Sequence, residues 1–202
     1  MCRGLFNPLT LPTAQKSCCG YPYALANGTY RIYHDPVSRV RRLLVTDRIF
    51  FVTANLRRSL AALAEDEFPL VLASMEESRQ KLGFRLCGYV LMPDHWHALI
   101  GLEHPLVISR AVQDVKWISA RRINRHRQTA GPVWQHQFWD RFVRHEKEFT
   151  ERLEYMHLNP VTKGLVRRPE DWKWSSHGNY AVDRLRVAGC PIQIDYVRVP
   201  AS

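Results

Sequence analysis

Two histidines, His95 and His97, stand one residue apart in an apolar, β-like run, Tyr89–Val90–Leu91–Met92–Pro93–Asp94–His95–Trp96–His97–Ala98–Leu99–Ile100–Gly101. Side chains of an extended strand alternate between faces, so both imidazoles share one face while Trp96 and Ala98 share the other. Two imidazoles on one face make a candidate pair of divalent-metal ligands. The competing reading is that the pair is structural. A second set lies further along. Over residues 146–158, Phe149, Leu153 and Met156 define an apolar stripe at ~100° per residue, and Tyr155 falls roughly 120° off its centre. Asn159, four residues on, lies on the same side as Tyr155, whereas His157 is turned away from both.

The elements that must position these groups follow from pattern and punctuation. Residues 48–55 are β-branched and aromatic and predict a buried strand. Phe68, Val71, Leu72, Met75 and Leu82 recur at helical spacing, with Pro69 in the first turn and Gly83 after the last. Residues 84–90 predict a second strand, Met92–Pro93–Asp94 a break, and residues 95–102 a third strand paired antiparallel with the second, which puts the histidines at a strand end near a turn. A longer helix carries Ile108, Ala111, Val112, Val115 and Ile118 on its apolar stripe. Residues 138–145 predict a fourth strand, and residues 146–158 a third helix stopped by Asn159–Pro160. Residues 172–180 form an aromatic, serine-containing segment packed on the body. The order strand, helix, strand, strand, helix, strand, helix predicts an α+β sandwich with one mainly antiparallel sheet. Residues 1–46 read as an irregular extension with at most short strands, residues 47–180 as the working domain, and residues 181–202 as a C-terminal tail.

Composition narrows the partners. The chain has 202 residues, 46% of them hydrophobic, enough for a core, and a formal charge of +10 from 29 Lys and Arg against 19 Asp and Glu. That balance favours nucleic acid or another acidic partner over a small neutral substrate. Arg121, Arg122, Arg125 and Arg127 make the second half of the 108–127 helix strongly basic and are candidate nucleic-acid contacts, as are Arg141 and Arg144 beside the proposed site. Trp134, Trp139, Trp172 and Trp174 read as core rather than as base-stacking platforms. Five cysteines, odd in number and without CxxC spacing, predict neither a disulfide framework nor a zinc site, and fit a reducing cytoplasm. No run approaches a signal peptide's apolar stretch or the ~18 apolar residues of a membrane span, so no membrane association is expected.

The segments Met92–Pro93–Asp94–His95–Trp96–His97, Val133–Trp134–Gln135–His136–Gln137–Phe138–Trp139–Asp140, Tyr155–Met156–His157–Leu158–Asn159–Pro160–Val161–Thr162–Lys163–Gly164–Leu165–Val166 and Trp172–Lys173–Trp174–Ser175–Ser176 together resemble the REP-associated tyrosine transposases. That group is related to the single-tyrosine insertion-sequence transposases of the His-hydrophobic-His nuclease superfamily. The similarity spans roughly residues 45–180 in the same order. It implies a ferredoxin-like fold and an endonuclease and strand transferase acting on hairpin-forming single-stranded DNA through a covalent 5′-phosphotyrosine. By the same resemblance His95 and His97 match the metal-binding histidine pair, Tyr155 the nucleophile, and Asn159 the polar side chain that completes the metal site. The implied cofactor is a divalent metal, Mg²⁺ or Mn²⁺, and the implied partner is single-stranded DNA with palindromic hairpins, bound by a monomer or a homodimer. Trp96 fills the hydrophobic middle position with an unusually bulky residue. Two other readings remain at this stage: a non-catalytic DNA-hairpin-binding regulator derived from such an enzyme, and a basic RNA- or DNA-binding module with structural histidines.

Overall fold

A computed structural model of the chain describes residues 23–24, 30–31, 48–180, 190–197 and 199. The expected irregular extension lies outside the described residues except for two short antiparallel strands, β1 (Tyr23–Ala24) and β2 (Tyr30–Arg31). The body begins at β3 (Arg48–Asn55), followed by α1 (Phe68–Leu82), β4 (Arg85–Leu91), β5 (His95–Leu102), α2 (Ile108–Arg127), β6 (Trp139–Val143), α3 (Glu146–Thr162) and α4 (His177–Tyr180). Strands β3 to β6 form one sheet in the spatial order β4-β5-β3-β6, every pairing antiparallel. A β-α-β-β-α-β order wound in this way is the ferredoxin-like sandwich, here with an added α3.

The helix punctuation works as the residues require. Pro69 sits in the first turn of α1, and Gly83 ends it in a left-handed conformation (φ 73°), its N–H reaching the Arg79 carbonyl at 2.8 Å. Helices α1 and α2 pack on each other, α1 also contacts β4, and α2 lies on the face of the sheet that carries Trp96. Trp96 meets Trp134, whose indole N–H donates to Ser119 Oγ of α2 at 2.9 Å. Helix α3 covers the opposite face, the one carrying the histidines, with Phe149, Leu153 and Met156 buried against it. Strand β5 is therefore interior in the sheet and buried on both faces along its whole length. The outer edge of β4 is covered too. The Leu91 and Ser176 N–H groups bond Trp174 and Tyr89 carbonyls, and Asp195 N–H bonds the Leu86 carbonyl, so part of the expected tail lies along this edge.

Three expectations change. Helix α3 does not stop at Asn159–Pro160 but runs through both to Thr162. Pro160 forfeits one N–H bond and nothing more downstream, because Lys163 and Leu165 still donate to the Asn159 and Pro160 carbonyls at 2.9 Å. Trp139 is not core: it is 47% exposed, on the edge strand β6. Arg144 lies beyond the end of β6 rather than inside it.

Two of the basic residues of α2 are committed to the protein itself. Arg127 reaches Glu67 with Nε at 2.5 Å and Nη2 at 2.7 Å, and also the Ala61 and Ala62 carbonyls. Burial pushes the Glu67 carboxyl up, but Arg127 and the Ala64 N–H outweigh it and hold the carboxyl below its usual range. Arg122 bonds Ser74 Oγ at 2.9 Å and Glu77 at 2.5 Å. Arg127→Ala would strand the buried Glu67 carboxylate, so it is expected to cost about 3 kcal/mol in urea denaturation. An equally stable variant would contradict the assignment of Arg127 to structure.

Candidate active site

The site is assembled from three elements. His95 and His97 project from the N-terminal end of β5, Thr53 and Phe51 from the paired strand β3, and Tyr155 and Asn159 from α3. Thr53 lies directly opposite His97 in the β3–β5 register, so antiparallel pairing alone sets their contact. Thr53 Oγ1 is 2.8 Å from His97 Nδ1, and Asp94 Oδ1 is 2.6 Å from His95 Nδ1. The two Nε2 atoms converge at 3.1 Å, and they face each other as lone pairs in the tautomers that donate from Nδ1 to these oxygens.

Asn159 closes this arrangement from above. Its Nδ2 is 3.0 Å from His97 Nε2, and its Oδ1 is buried without a hydrogen-bond partner among the described residues. Tyr155 lies one helical turn earlier, its ring 5.6 Å from that of His97 and 6.0 Å from Phe51, which itself stacks on His97 at 5.2 Å. His95, His97 and Asn159 are buried, whereas Tyr155 is 52% exposed. His95, His97, Tyr155 and Asn159 thus meet within one chain, although the histidines and the tyrosine helix are far apart in sequence. No group of three His, Cys, Asp or Glu suited to hold a metal occurs among the described residues, so a third protein ligand here would be the Asn159 amide.

Burial first, and the neighbouring His95 second, push the His97 imidazole down to about 3, against the weaker opposing pull of Val52 and Asp94. The folded protein therefore presents a neutral, ligand-competent ring at neutral pH. His157, as its position predicts, points away from the site. It is fully buried, Nε2 sits 2.8 Å from Ser176 Oγ, and burial with His177 nearby holds it well below the ordinary histidine value.

The basic candidates divide between the two faces. Arg141 pairs with Phe51 across β3–β6, so it shares the histidine face, and its Nε bonds the buried Glu148 at 2.7 Å. Arg144 is exposed, with its backbone N–H on Glu148 at 3.1 Å. Arg121, Arg122, Arg125 and Arg127 belong to the α1–α2 layer on the other side of the sheet. Three side chains at the site escape the sequence patterns: Thr53, Arg152, whose guanidinium lies 5.6 Å from the Phe51 ring, and the exposed Trp139, 6.0 Å from Phe51. Arg152 had a signal, since it stands three residues before Tyr155 on the same helix. Thr53 had none, because its role needs the β3–β5 register.

Residues 48–145 match the family described as transposase IS200 like, a span that holds both histidines and ends before Tyr155. A REP-associated tyrosine transposase of Escherichia coli (strain K12) is 23% identical over 153 residues, which cover 73% of this chain and 90% of that protein. A solved structure of a REP-associated tyrosine transposase bound to a REP hairpin superposes with a TM-score of 0.60 at 22% identity, covering 82% of this chain and 96% of the other. That likeness establishes a shared fold.

The buried histidines make a statement about stability. Unfolded histidines take up protons near pH 6.5, while His97 and His157 stay neutral in the folded chain. The unfolded state therefore binds more protons as pH falls below 6.5, and stability is lost from there toward pH 3, with a slope approaching about 1.4 kcal/mol per pH unit for each ring. Thermal melts of metal-free protein between pH 7.5 and 5 should show a falling midpoint, and His157→Gln should flatten the profile. A midpoint that does not move over this range would contradict neutral burial of these rings.

Proposed function

We propose that this chain, which is similar to the REP-associated tyrosine transposases, is a metal-dependent endonuclease and strand transferase that cleaves hairpin-forming single-stranded DNA with Tyr155 as nucleophile. The observation that carries the reading is the meeting of a half-exposed tyrosine with two buried histidines whose Nε2 atoms converge at 3.1 Å. Two facing lone pairs at that distance repel unless a proton or a cation lies between them. Each ring is also held at Nδ1 by an oxygen, the arrangement that orients metal-ligating histidines.

The donor set fits a divalent ion. Two Nε2 atoms 3.1 Å apart are close enough to be neighbouring ligands of one ion. The unpartnered Asn159 Oδ1 supplies a hard oxygen once the amide turns over. Two imidazoles and an amide oxygen suit Mn²⁺, and Mg²⁺ as the abundant ion. Bound there, the ion would act as a Lewis acid on a non-bridging oxygen of the scissile phosphate.

The chain's own groups do the rest. Tyr155 Oη attacks phosphorus, the Tyr155 O–P bond forms, the P–O3′ bond breaks, and the phenolic proton is passed on as the 3′ oxygen leaves as a hydroxyl. Attack by a different 3′-hydroxyl reverses the step and joins strands. Phe51 packs against the Tyr155 and His97 rings and limits where each can turn. Arg152 and Arg144 bring positive charge to this end of the molecule for the DNA backbone, while Arg141 is paired with Glu148. Tyr155 reaches His97 within one chain, so this reading needs no second protomer to complete the site.

A hairpin oligonucleotide incubated with the protein and Mn²⁺ or Mg²⁺ should be cut and leave a covalent protein–DNA adduct. Tyr155→Phe should abolish the adduct and lower cleavage by at least ~1,000-fold. Undiminished cleavage by Tyr155→Phe sinks the mechanism.

Thr53→Val keeps the shape of the side chain but removes the oxygen that orients His97. It should weaken Mn²⁺ binding, measured by titration calorimetry, about 10-fold to 100-fold with little change in folding. Affinity equal to wild type would show that Thr53 does not support a ligand.

A further inference from the structure

On the face of the molecule away from the histidines, the outer surface of α2 carries the most exposed large aromatic of the described residues. Trp117 is 58% exposed, and the Arg121 guanidinium lies 4.5 Å over its ring. Gln113, Trp117, Arg121 and Arg125 are all exposed and follow one another at four-residue intervals, a ridge inclined to the helix axis with ~6 Å of rise between successive members. Trp117 stands between two surface cavities. One, of about 180 Å³, includes Arg121, Arg122 and Arg125 in its lining, and the other, of about 360 Å³, is lined by Lys81, Arg110, Gln113, Asp114 and Trp117.

Charge around this ridge is lopsided. Five cations, Lys81, Arg110, Arg121, Arg122 and Arg125, face two carboxylates, Asp114 and Glu77, which are bound by Lys81 at 2.8 Å and by Arg122 at 2.5 Å. A merely solvated helix face needs neither a large exposed indole nor a cavity beside it. Cationic side chains interleaved with an exposed ring suit a strand that offers phosphates and flat bases together. An acidic peptide would satisfy the arginines and leave the indole without a matching surface. Stacked duplex DNA would keep its bases away from the ring.

We propose that the Trp117 ridge of α2 is a second nucleic-acid site, binding a single-stranded segment with one base stacked on Trp117 and adjacent phosphates on Arg121 and Arg125. Helices α1 and α2 lie on one side of the sheet and the histidines on the other, so the two sites engage different stretches of a strand. The ridge holds nucleic acid without touching the reacting phosphate. The inference goes beyond the cleavage reading and does not depend on it.

Fluorescence anisotropy of labelled dT12 with the full chain in EDTA tests it, since nothing is cut without metal. Wild type should bind dT12 more tightly than an abasic strand of equal length. Trp117→Ala should weaken dT12 about tenfold and erase the difference between the strands, while Trp117→Phe, which keeps an aromatic ring, should retain most of it. Arg121→Ala combined with Arg125→Ala should lower the slope of log affinity against log salt by about 1.4.

The proposal is overturned if Trp117→Ala binds dT12 within twofold of wild type, or if wild type does not distinguish dT12 from the abasic strand. It is equally overturned if polyglutamate displaces dT12 at equal charge concentration, which would make the ridge a site for acidic protein. A loss of dT12 affinity in Trp117→Ala supports the ridge whether or not any hairpin is cleaved, so the two readings fail separately.

Discussion

The docking of α3 on the sheet at Gly88 is the constraint on which the site depends. A Cβ at Gly88 would lie 2.4 Å from Met156 Cε and 3.0 Å from Leu153 Cδ1, so the tips of these α3 side chains fill the space that β4 leaves open by carrying no side chain there. Leu153 and Met156 bury the helix's apolar stripe in that gap. Tyr155 and Asn159 occupy the flank of the same helix, and the depth of the apolar contact sets their distance to His97. Packing of this density leaves little freedom, so an apolar contact decides the geometry of a polar site.

The histidines gain their properties from being placed in the middle of the sheet rather than on its rim. Strand β5 is paired on both sides and buried on both faces, which removes water from the His95 and His97 rings and keeps His97 neutral. Low polarity also strengthens whatever electrostatic contacts the rings make. Thr53 and Asp94 each occupy an Nδ1, so the Nε2 atoms are the ones left to converge. The bulky Trp96 does not disturb this, because alternation sends it to the other face, where Trp134 and α2 receive it.

That alternation also divides the molecule's labour. The α3 face carries His95, His97 and Tyr155, with Trp139 exposed on that side of the edge strand, while the α1–α2 layer carries the arginine cluster of α2. Basic residues of one helix that look equivalent in sequence differ in use: Arg127 neutralises the buried Glu67, Arg122 pairs with Glu77, and Arg121 stacks on Trp117. A count of charges along α2 cannot separate these roles. Each partner comes from α1, from the turn before it or from the ridge itself, and only packing brings them into reach.

What the chain alone determined is what depends on neighbours a few residues apart. Helix α1 runs from Phe68 to Leu82, β3 from Arg48 to Asn55 and β5 from His95 to Leu102, each as periodicity and the Pro and Gly punctuation require. The shared face of His95 and His97 and the shared flank of Tyr155 and Asn159 are of the same kind. The passage of α3 through Pro160 was not, because tertiary burial of Asn159 and Pro160 overrides a local preference to stop. Thr53 opposite His97, Gly88 beneath Met156 and the exposure of Trp139 were also decided only by tertiary structure. The physical reason is one of range: backbone dihedrals and side-chain alternation act within a turn or a strand. The order β4-β5-β3-β6 and the depth at which α3 sits are set instead by burial and pairing between segments far apart in the chain.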